Sequence, residues 1–453
     1  MDRALKQGKL LVWVTSHRFA FGAIAAIASR LAAAGLTFVL GIVLARVLGY
    51  SAYGEYAFVL AIVQLITIVS KFGLDNAALR FAAEYRAKNS HGALLSFLGD
   101  TKKINISVSG GIAALFACGT CVLRAQMHQG VFLCCLVGAI LLAILPVVQV
   151  REATLVALGK VTQSLIGPVV TPAIFIVYLL ASRAFMPTNS SSSAAMFLHV
   201  LAALTGLVIA SIFLTRSVGS VPRGEVRQPV MNSEWRSMAF SMMVVNVLIY
   251  IQGQSGTIFS GVLLGTEQAG LFSVATRISG ASLLGLSSIN MIAAPRMAAL
   301  YAKQDRHGLQ RLAKHCAWGS LAFSLPVVAL TAIYGRVLLQ YFGPEFVQAH
   351  MTLLLLLVGL IINSSTGAVA HLLYMTGNHS TCLQVYGVFS VVTVLLHLSL
   401  IPSYGILGAA VTTTIVQAAW NSVLVYYVRK KVGIWSLIGV SDKVTFGSEN
   451  VIQ

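Results

Sequence analysis

The sequence has 453 residues, of which 57% are hydrophobic and only 10% are charged, and its formal net charge is +18. Soluble domains carry roughly 25% charged residues, so a soluble fold could not bury this much apolar surface. The apolar runs of about 20 residues are long enough to cross the hydrocarbon layer of a membrane. Because lipid offers the backbone no hydrogen-bond partners, we predict an all-α, polytopic membrane protein.

Twelve apolar runs follow one another after a basic head that covers residues 1–18. The first run is too long for the core of a signal peptide and is interpreted as a retained span. The predicted spans cover roughly residues 20–45, 54–79, 104–123, 131–150, 165–182, 194–215, 238–262, 269–293, 316–333, 349–375, 382–401 and 405–428. Prolines in or beside these spans can kink helices and line a cavity. They are Pro146, Pro168, Pro172 and Pro326.

The basic residues are distributed unequally between the two sides of the predicted membrane. Of the 31 lysines and arginines, 24 lie in the termini and in alternate loops on one side. The opposite side has four, which are Arg46, Arg124, Arg183 and Arg336. The positive-inside rule places the basic side, with both termini, in the cytoplasm. The charge of +18 is then a topology signal, and we expect no nucleic-acid partner.

Residues 216–237 form an inner loop near the midpoint of the chain and contain proline, glycine and charged residues. We predict that they link two bundles of six spans, which cover residues 1–215 and 238–453, the second with a basic cytoplasmic tail. An internal repeat supports this division, because a shift of 216 residues aligns glycines, arginines and other residues of the two halves. The aligned pairs are Gly49 with Gly265, Gly54 with Gly270, Arg80 with Arg296, Tyr85 with Tyr301, and His91–Gly92 with His307–Gly308.

The repeat also indicates how the two halves are arranged. At a shift of 218, Gly159 aligns with Gly377. Six spans separate the copies, so both run in the same direction, and a pseudo-two-fold axis along the membrane normal is expected to relate them. Transporters have this architecture, with the binding site between the halves. Chance alignment of glycines is the alternative, and it explains the arginine and tyrosine pairs poorly.

Charged residues inside the spans do not follow the repeat. The unrepeated ones are Arg30, Lys71, Asp75 and Arg277. A lone charge at the bilayer centre costs at least about 2.5–3.5 kcal/mol, so unrepeated charges are candidates for function. Lys71 and Asp75 are four residues apart and share one face of the predicted helix 54–79. They form a local ion pair, or Lys71 faces an anionic substrate in a central cavity while Asp75 sets its pose.

Further candidates lie near the span ends. Arg277 lies about two helical turns into its span from the outer side and is the strongest candidate for a cavity-lining cation. Arg30 lies near the midplane or at the inner interface, depending on where the first span begins. Glu55, at the outer mouth of the second span, is a proton carrier or, as we expect, a solvated end charge. His199 lies within a span and is expected to form a hydrogen bond between helices.

Two stretches near the N-terminus resemble the start of bacterial polysaccharide biosynthesis flippases, which belong to the multidrug/oligosaccharidyl-lipid/polysaccharide (MOP) exporter superfamily. They are "LARVLGYSAYGEYAF" at residues 44–58 and "FGLDNAALRFAAEY" at residues 72–85. In this resemblance, Gly49 and Gly54 lie at the turn between the first two spans. Gly73 and Arg80 lie at the end of the second span.

The resemblance implies a function. Such proteins move undecaprenyl-pyrophosphate-linked oligosaccharide repeat units from the cytoplasmic to the periplasmic leaflet of the bacterial inner membrane, for O-antigen, capsule or exopolysaccharide synthesis. It implies alternating access through a lumen whose cations, here Arg30, Lys71 and Arg277, face the pyrophosphate. Proton or sodium coupling is also implied, without another cofactor. Expected partners are membrane lipid and the polymerase and chain-length proteins of the pathway.

Other functions fit the sequence less well. An ion-coupled multidrug exporter shares the fold but favours an acidic site, and Asp75 is the only acid predicted to lie deep in a span. A membrane polysaccharide polymerase or glycosyltransferase needs a large extramembrane loop or a paired DxD motif, and the sequence contains neither. The peptidoglycan lipid flippase usually has two further spans. The sequence also lacks a GxxxxGK[ST] loop for ATP.

Overall fold

The computed structural model describes residues 2–185, 191–219 and 233–435, and every regular element in these ranges is helical. The first half contains α1 (Asp2–Ser70), α2 (Leu74–Ala77), α3 (Ala83–Ala87), α4 (His91–Val122), α5 (Gln129–Ala157), α6 (Thr171–Phe185) and α7 (Ser192–Gly219). The second half contains α8 (Ser233–Leu264), α9 (Thr266–Gly280), α10 (Leu283–Ala302), α11 (Arg306–Phe342), α12 (His350–Thr366), α13 (Val369–Met375), α14 (His379–Tyr404) and α15 (Ile406–Val432). Single π-helical turns cover Ala78–Ala82 and Ile166–Val170, and short 3₁₀ segments cover Leu123–Gln126, Thr162–Ser164 and Pro344–Ala349.

The helices account for all twelve predicted spans. Nine helical segments of the described chain are long and apolar enough to cross a membrane. One of them, Leu31–Ser70, contains parts of the first two predicted spans. A kink at Gly49 (φ 74°, ψ 178°), where α1 leaves the helical conformation, separates these two parts. The eighth and twelfth spans are not among these nine segments. The eighth is divided between the shorter helices α9 and α10, and the twelfth, α15, contains polar residues that make it less apolar. The chain is therefore an all-α, multi-pass membrane protein.

The second predicted span, residues 54–79, is not one continuous helix. Helix α1 ends at Ser70, and Phe72 and Gly73 have φ values of 50° and 68° before α2 begins. Helix α8 approaches closely at this break, since a Cβ on Gly73 would collide with the carbonyl oxygen of Ala239. Only glycine combines a left-handed conformation with so little space.

Two other span boundaries differ from the prediction. The tenth span, residues 349–375, is interrupted at Gly367 (φ 67°), where a Cβ would lie 2.9 Å from the Cα of Ala317. The fourth span was expected to end at residue 150, whereas α5 continues to Ala157. Arg151 and Glu152 are therefore helical residues rather than loop residues, and this places their side chains against neighbouring helices.

The backbone conformation repeats where the sequence does. Gly49 and Gly265 both have positive φ, 74° and 100°. The turns that directly follow α5 and α13 contain Gly159 and Gly377, whose φ values are 74° and 81°. The two ends have the same backbone hydrogen bonds, those of a Schellman motif. The internal repeat is thus a repeat of local structure as well as of residue types.

The shift between the two copies changes by one residue after Arg80. The turns that follow α3 and α10 contain Asn89 (φ 53°) and Gln304 (φ 55°), which are 215 residues apart. A π-helical turn holds one more residue than an α-helical turn, and the first copy has such a turn at Ala78–Ala82. In the structure His91 consequently corresponds to Arg306, and not to His307 as the constant shift predicted.

The described chain packs into two compact units. The first contains Met1–Ile278, Arg336–Thr352 and His397–Ala409, and the second contains Ser279–Gly335, Leu353–Leu396 and Ala410–Gln453. Residues 220–232 of the predicted linker 216–237 lie outside the described residues, as do residues 436–453 of the basic tail. The division into bundles 1–215 and 238–453 stays a prediction.

Each unit has its own means of joining helices. In the first unit, an apolar cluster surrounds Phe97, whose ring meets that of Trp235 edge-on at 6.0 Å between centroids. In the second unit, Ser364 Oγ donates to Ser324 Oγ (2.9 Å), and Ser324 Oγ donates to the carbonyl of Ser282 (3.0 Å). Hydrogen bonds between small polar side chains stabilise helix contacts in membranes, where the hydrophobic effect does not.

Candidate functional site

Helix α9 places Arg277 directly against α1. Its Nη1 donates a 2.6 Å hydrogen bond to the carbonyl oxygen of Thr37. Gly41 makes room for the side chain, since a Cβ there would lie 2.7 Å from the Cδ of Arg277. Within the described chain Arg277 forms no ion pair. The residue is therefore a guanidinium between α1 and α9 with a carbonyl, and not a carboxylate, as its acceptor.

Arg46 joins α1 to the end of α11 in a similar way. Its Nε donates to the carbonyl of Tyr341 (2.7 Å) and its Nη2 donates to the carbonyl of Gln340 (2.9 Å). Carbonyls at the C-terminal end of a helix lack partners within the helix, and the helix dipole is negative there. Arg46 thus caps α11 from 294 residues away in the sequence.

Aromatic rings extend this contact. Tyr53 meets Phe346 edge-on at 5.5 Å, and Phe38 meets Phe342 edge-on at 5.7 Å. We call the contacts of α1 with α9 and with the end of α11 the outer seam, because they join predicted outer ends of the two halves. Its members are Thr37, Phe38, Gly41, Arg46, Tyr53, Gly54, Gly270, Arg277, Phe342 and Phe346.

Lys71 and Asp75 form an ion pair at the break between α1 and α2. The Nζ of Lys71 lies 2.7 Å from Oδ2 of Asp75, and the side chains are only 12% and 18% exposed. Asn76 Nδ2 lies 3.3 Å from the other oxygen, Oδ1. The pair spans a turn and not one helix face, because α1 stops at Ser70. A role of Lys71 in binding substrate stays a prediction.

Glu55 is buried, in contrast to the expected solvated end charge. It is 9% exposed. Its Oε2 accepts a 2.5 Å hydrogen bond from Ser192 Oγ, and its Oε1 lies 3.2 Å from Nδ1 of His128. Ser192 begins α7 and Gln129 begins α5, so the carboxylate lies beside two helix N-termini, whose dipoles favour negative charge. This stabilisation explains how an acid is accommodated inside the helices.

Glu152 is a half-buried acid that the sequence pattern did not reveal. It lines a cavity of about 290 Å³ between α1, α5, α6 and α7. The backbone N–H of Gly167 donates to its carboxylate, but Oε1 has no hydrogen-bond partner among the described residues. The Oγ1 of Thr171, also in the wall, is buried and lacks a partner there as well. Unpaired buried oxygens are costly, so a cavity that contains two of them suits a ligand that pairs them.

Two features of the sequence could have indicated this cavity. Glu152 lies two residues after the end of a long apolar run, beyond Arg151, where an acid is uncommon. Pro168 and Pro172 were expected to kink a helix and line a cavity, and both lie in its wall, beside the π-helical turn Ile166–Val170. Such turns inside helices often mark functional sites. Only the packing of α6 on α5 shows that these features meet.

The cavity is connected to the outer seam through His199. The ring of His199 lines the cavity, stacks on Phe175 at 4.8 Å and is hydrogen-bonded to the hydroxyl of Tyr56 at 2.9 Å. Tyr56 in turn lies within electrostatic range of Arg277. His199 therefore joins α7 to α1 as predicted, and it lies between the Glu152 cavity and Tyr56.

The other candidate residues have separate environments. Arg80 is exposed, and its Nη1 lies 3.4 Å from the Sδ of Met238. Arg296 is exposed on α10. Arg30 belongs to α1, and its side chain lies outside the described residues. The structure thus pairs Lys71 with Asp75 and places Arg277 in the seam, and the described contacts do not bring Lys71 and Arg277 together.

The overall fold is that of MOP-superfamily transporters. An inward-facing multidrug (MATE family) transporter of this superfamily has a TM-score of 0.70 with 13% identity, over 90% of this chain and 98% of that one. A MOP-superfamily transporter from Pyrococcus furiosus, described by the reverse polarity of its binding pocket, has a TM-score of 0.66 with 12% identity, over 91% and 95%. A Vibrio cholerae MATE transporter has a TM-score of 0.60 with 14% identity, over 92% and 98%.

Sequence comparison defines the family within this fold. Residues 19–301 match the family of polysaccharide biosynthesis proteins. This is more than half of the chain, and the chain belongs to that family. It is also similar to the capsular polysaccharide biosynthesis protein CapF of Staphylococcus aureus, with 25% identity over 171 residues. That match covers 38% of this chain and 43% of the relative, so the chain aligns with less than half of CapF.

Proposed function

We propose that this protein flips undecaprenyl-pyrophosphate-linked oligosaccharide repeat units from the cytoplasmic to the periplasmic leaflet of the bacterial inner membrane. Both termini are cytoplasmic in this proposal, in accord with the basic inner loops. The observation that carries it is the guanidinium of Arg277, which lies between α1 and α9 without an ion pair among the described residues. Arginine binds phosphates through several N–H donors at once, which suits a pyrophosphate cargo.

The outer seam is the barrier that alternating access must open. While α1 and α9 are in contact, the carbonyl of Thr37 accepts a hydrogen bond from Arg277. Separation of the helices removes this acceptor and leaves a cation inside the membrane, which is costly. A phosphate beside Arg277 replaces the lost acceptor, so bound cargo lowers the cost of opening. In this way the cargo and the opening of the seam favour each other.

We infer that the Glu152 cavity binds the coupling cation, a proton or a sodium ion. A carboxylate, a threonine hydroxyl and the neighbouring Gln149 provide one negative charge and neutral oxygens, a donor set that suits a small monovalent cation. The contacts from His199 through Tyr56 provide a route by which occupation of the cavity biases the seam.

The function is tested by the sidedness of the lipid carrier. Cells that lack the chain are complemented with the wild type, with Arg277→Ala, with Arg277→Lys or with the control Arg336→Ala, whose arginine is exposed on α11. Lipid-linked repeat units are then assayed in inverted and right-side-out vesicles. We expect them to accumulate in the inner leaflet without the chain and with Arg277→Ala, and to reach the outer leaflet with the control. Normal flipping without the chain would exclude this function.

An ion-coupled multidrug exporter is the second candidate. The sequence had placed only Asp75 deep in a span, whereas the structure buries Glu55 and places Glu152 in a cavity. Acids inside the helices suit the binding of cationic drugs, so the structure favours the exporter more than the sequence alone does. In the same complementation strains, efflux of a cationic dye measures this activity. Dye efflux that depends on Glu55 or Glu152, together with unchanged glycolipid sidedness, would favour the exporter.

A further inference from the structure

A groove of about 420 Å³ opens between α4, α5 and α7, away from the Glu152 cavity. Two cations lie in its wall, Lys102 from α4 and Arg151 from α5. Lys102 is exposed, whereas the apolar residues Val147 and Val150 form a buried wall. None of the described residues that line the groove is acidic. The groove thus combines positive charge at the surface with an apolar floor.

The groove lies near the predicted cytoplasmic surface of the membrane. Lys102 and Arg151 lie near the predicted inner ends of the spans 104–123 and 131–150, although α4 begins earlier, at His91, and α5 continues to Ala157. Thr215, where the span 194–215 ends, also lines the groove. Three inner span ends therefore meet here, at the level where the headgroups of the cytoplasmic leaflet lie if the basic loops are cytoplasmic.

Arg151 is anchored to α7 by hydrogen bonds. Its Nη1 donates to the carbonyl of Leu207 (3.4 Å) and to Ser211 Oγ, both on α7. A guanidinium has five N–H donors, so an arginine anchored through one nitrogen can still bind a phosphate through others. Because the side chain is already anchored, binding of an anion loses less side-chain conformational entropy.

We propose that this groove binds an anionic phospholipid of the cytoplasmic leaflet. The phosphate lies between Lys102 and Arg151, and an acyl chain follows Val147, Val150 and Leu214. Clusters of basic residues at the inner ends of membrane helices recognise anionic headgroups in this way. The groove holds lipid whatever the chain transports, because none of these residues belongs to the outer seam or to the Glu152 cavity.

Native mass spectrometry of the detergent-solubilised full chain tests the proposal. The protein is titrated in separate experiments with phosphatidylglycerol, with phosphatidylcholine of the same acyl chains, and with undecaprenyl pyrophosphate. The variants are Lys102→Gln, Arg151→Gln and the control Lys103→Gln, an exposed neighbour that does not line the groove. We expect the wild type to prefer phosphatidylglycerol, and Lys102→Gln to weaken its binding roughly fivefold. The control is expected to bind as the wild type does.

Three results would overturn the proposal. The first is equal affinity of the wild type for the two lipids. The second is an equal loss in Lys102→Gln and Lys103→Gln, which would indicate general surface charge. The third is a loss of undecaprenyl-pyrophosphate binding without a loss of phosphatidylglycerol binding, which would make the groove a cargo site. Because Arg151 also holds α7, Lys102→Gln decides the outcome if Arg151→Gln does not fold.

Discussion

Gly54 of α1 and Gly270 of α9 are 216 residues apart in the sequence and are in backbone contact, since a Cβ on Gly270 would lie 2.8 Å from the Cα of Gly54. The two glycines are equivalent positions of the internal repeat. Residues related by a two-fold axis can touch each other only close to that axis. The contact therefore supports the predicted pseudo-two-fold relation and explains why both positions are glycine.

Alanine at Gly54 is expected to weaken the outer seam. The added Cβ would collide with the carbonyl oxygen of Thr266, and overpacking of this kind costs about 1–3 kcal/mol. Gly35→Ala is the matched control on the same helix, because nothing lies within 4 Å of its Cβ position. There alanine should be neutral, or stabilising by up to about 1 kcal/mol. Thermal unfolding in detergent compares the two, and equal midpoints would contradict the close contact.

Alanine substitutions at two glycines with positive φ distinguish the cost of backbone strain from the cost of a steric collision. Gly49→Ala meets nothing within 4 Å, so it should cost only the strained conformation, about 1–3 kcal/mol. Gly73 has a left-handed helical conformation (φ 68°, ψ 11°), which strains alanine less than the conformation of Gly49 (ψ 178°) does, but a Cβ on Gly73 also collides with the carbonyl of Ala239. We expect Gly73→Ala to lower the unfolding midpoint further and to reduce the yield of folded protein. A smaller effect at Gly73 than at Gly49 would argue against the close approach of α8.

Removal of the Arg46 guanidinium is expected to loosen the end of α11. Arg46→Ala should cost up to about 2 kcal/mol, the value of a favourable charge at a helix C-terminus. Arg46→Lys should cost less, because it keeps the charge but loses the two-atom contact with Tyr341 and Gln340. Hydrogen exchange of the amides near residues 340–346 measures the effect. Arg336→Ala, on the exposed side of α11, should leave this exchange unchanged.

Neutralisation of Glu152 is expected to uncouple transport from the ion gradient. Glu152→Gln removes the charge of the cavity at nearly constant volume, and we expect gradient-driven flipping to fall about tenfold, within the usual range of coupling between sites. Glu84→Gln is the control, because this acid lies in an exposed ion pair with Lys88. A midpoint of unfolding that rises with sodium in the wild type but not in Glu152→Gln identifies sodium. Dependence on pH alone identifies the proton, and unchanged coupling in the variant would exclude the cavity.

The candidate site could be predicted only in part, and the acids illustrate the limit. Lys71 and Asp75 are four residues apart, so their pairing was within reach of a local argument. Glu55 was expected to be solvated, because the residues that bury it, Ser192 and His128, are distant in the sequence. The sequence pattern predicts a loop at Glu152, because the apolar run ends before this residue. The helix α5 nevertheless continues past it to Ala157.

The sequence by itself determined the membrane class, the number of spans and the internal repeat. These depend on the length of apolar runs and on residues such as Gly49 and Gly265, whose conformations are local. The tertiary structure decided which charges are buried and what they contact. Arg277 meets Thr37 across 240 residues, and Arg46 meets Gln340 across 294. Such contacts depend on how apolar helix faces pack, and many pairings of these faces are compatible with one apolar pattern, so the sequence pattern does not select the partners.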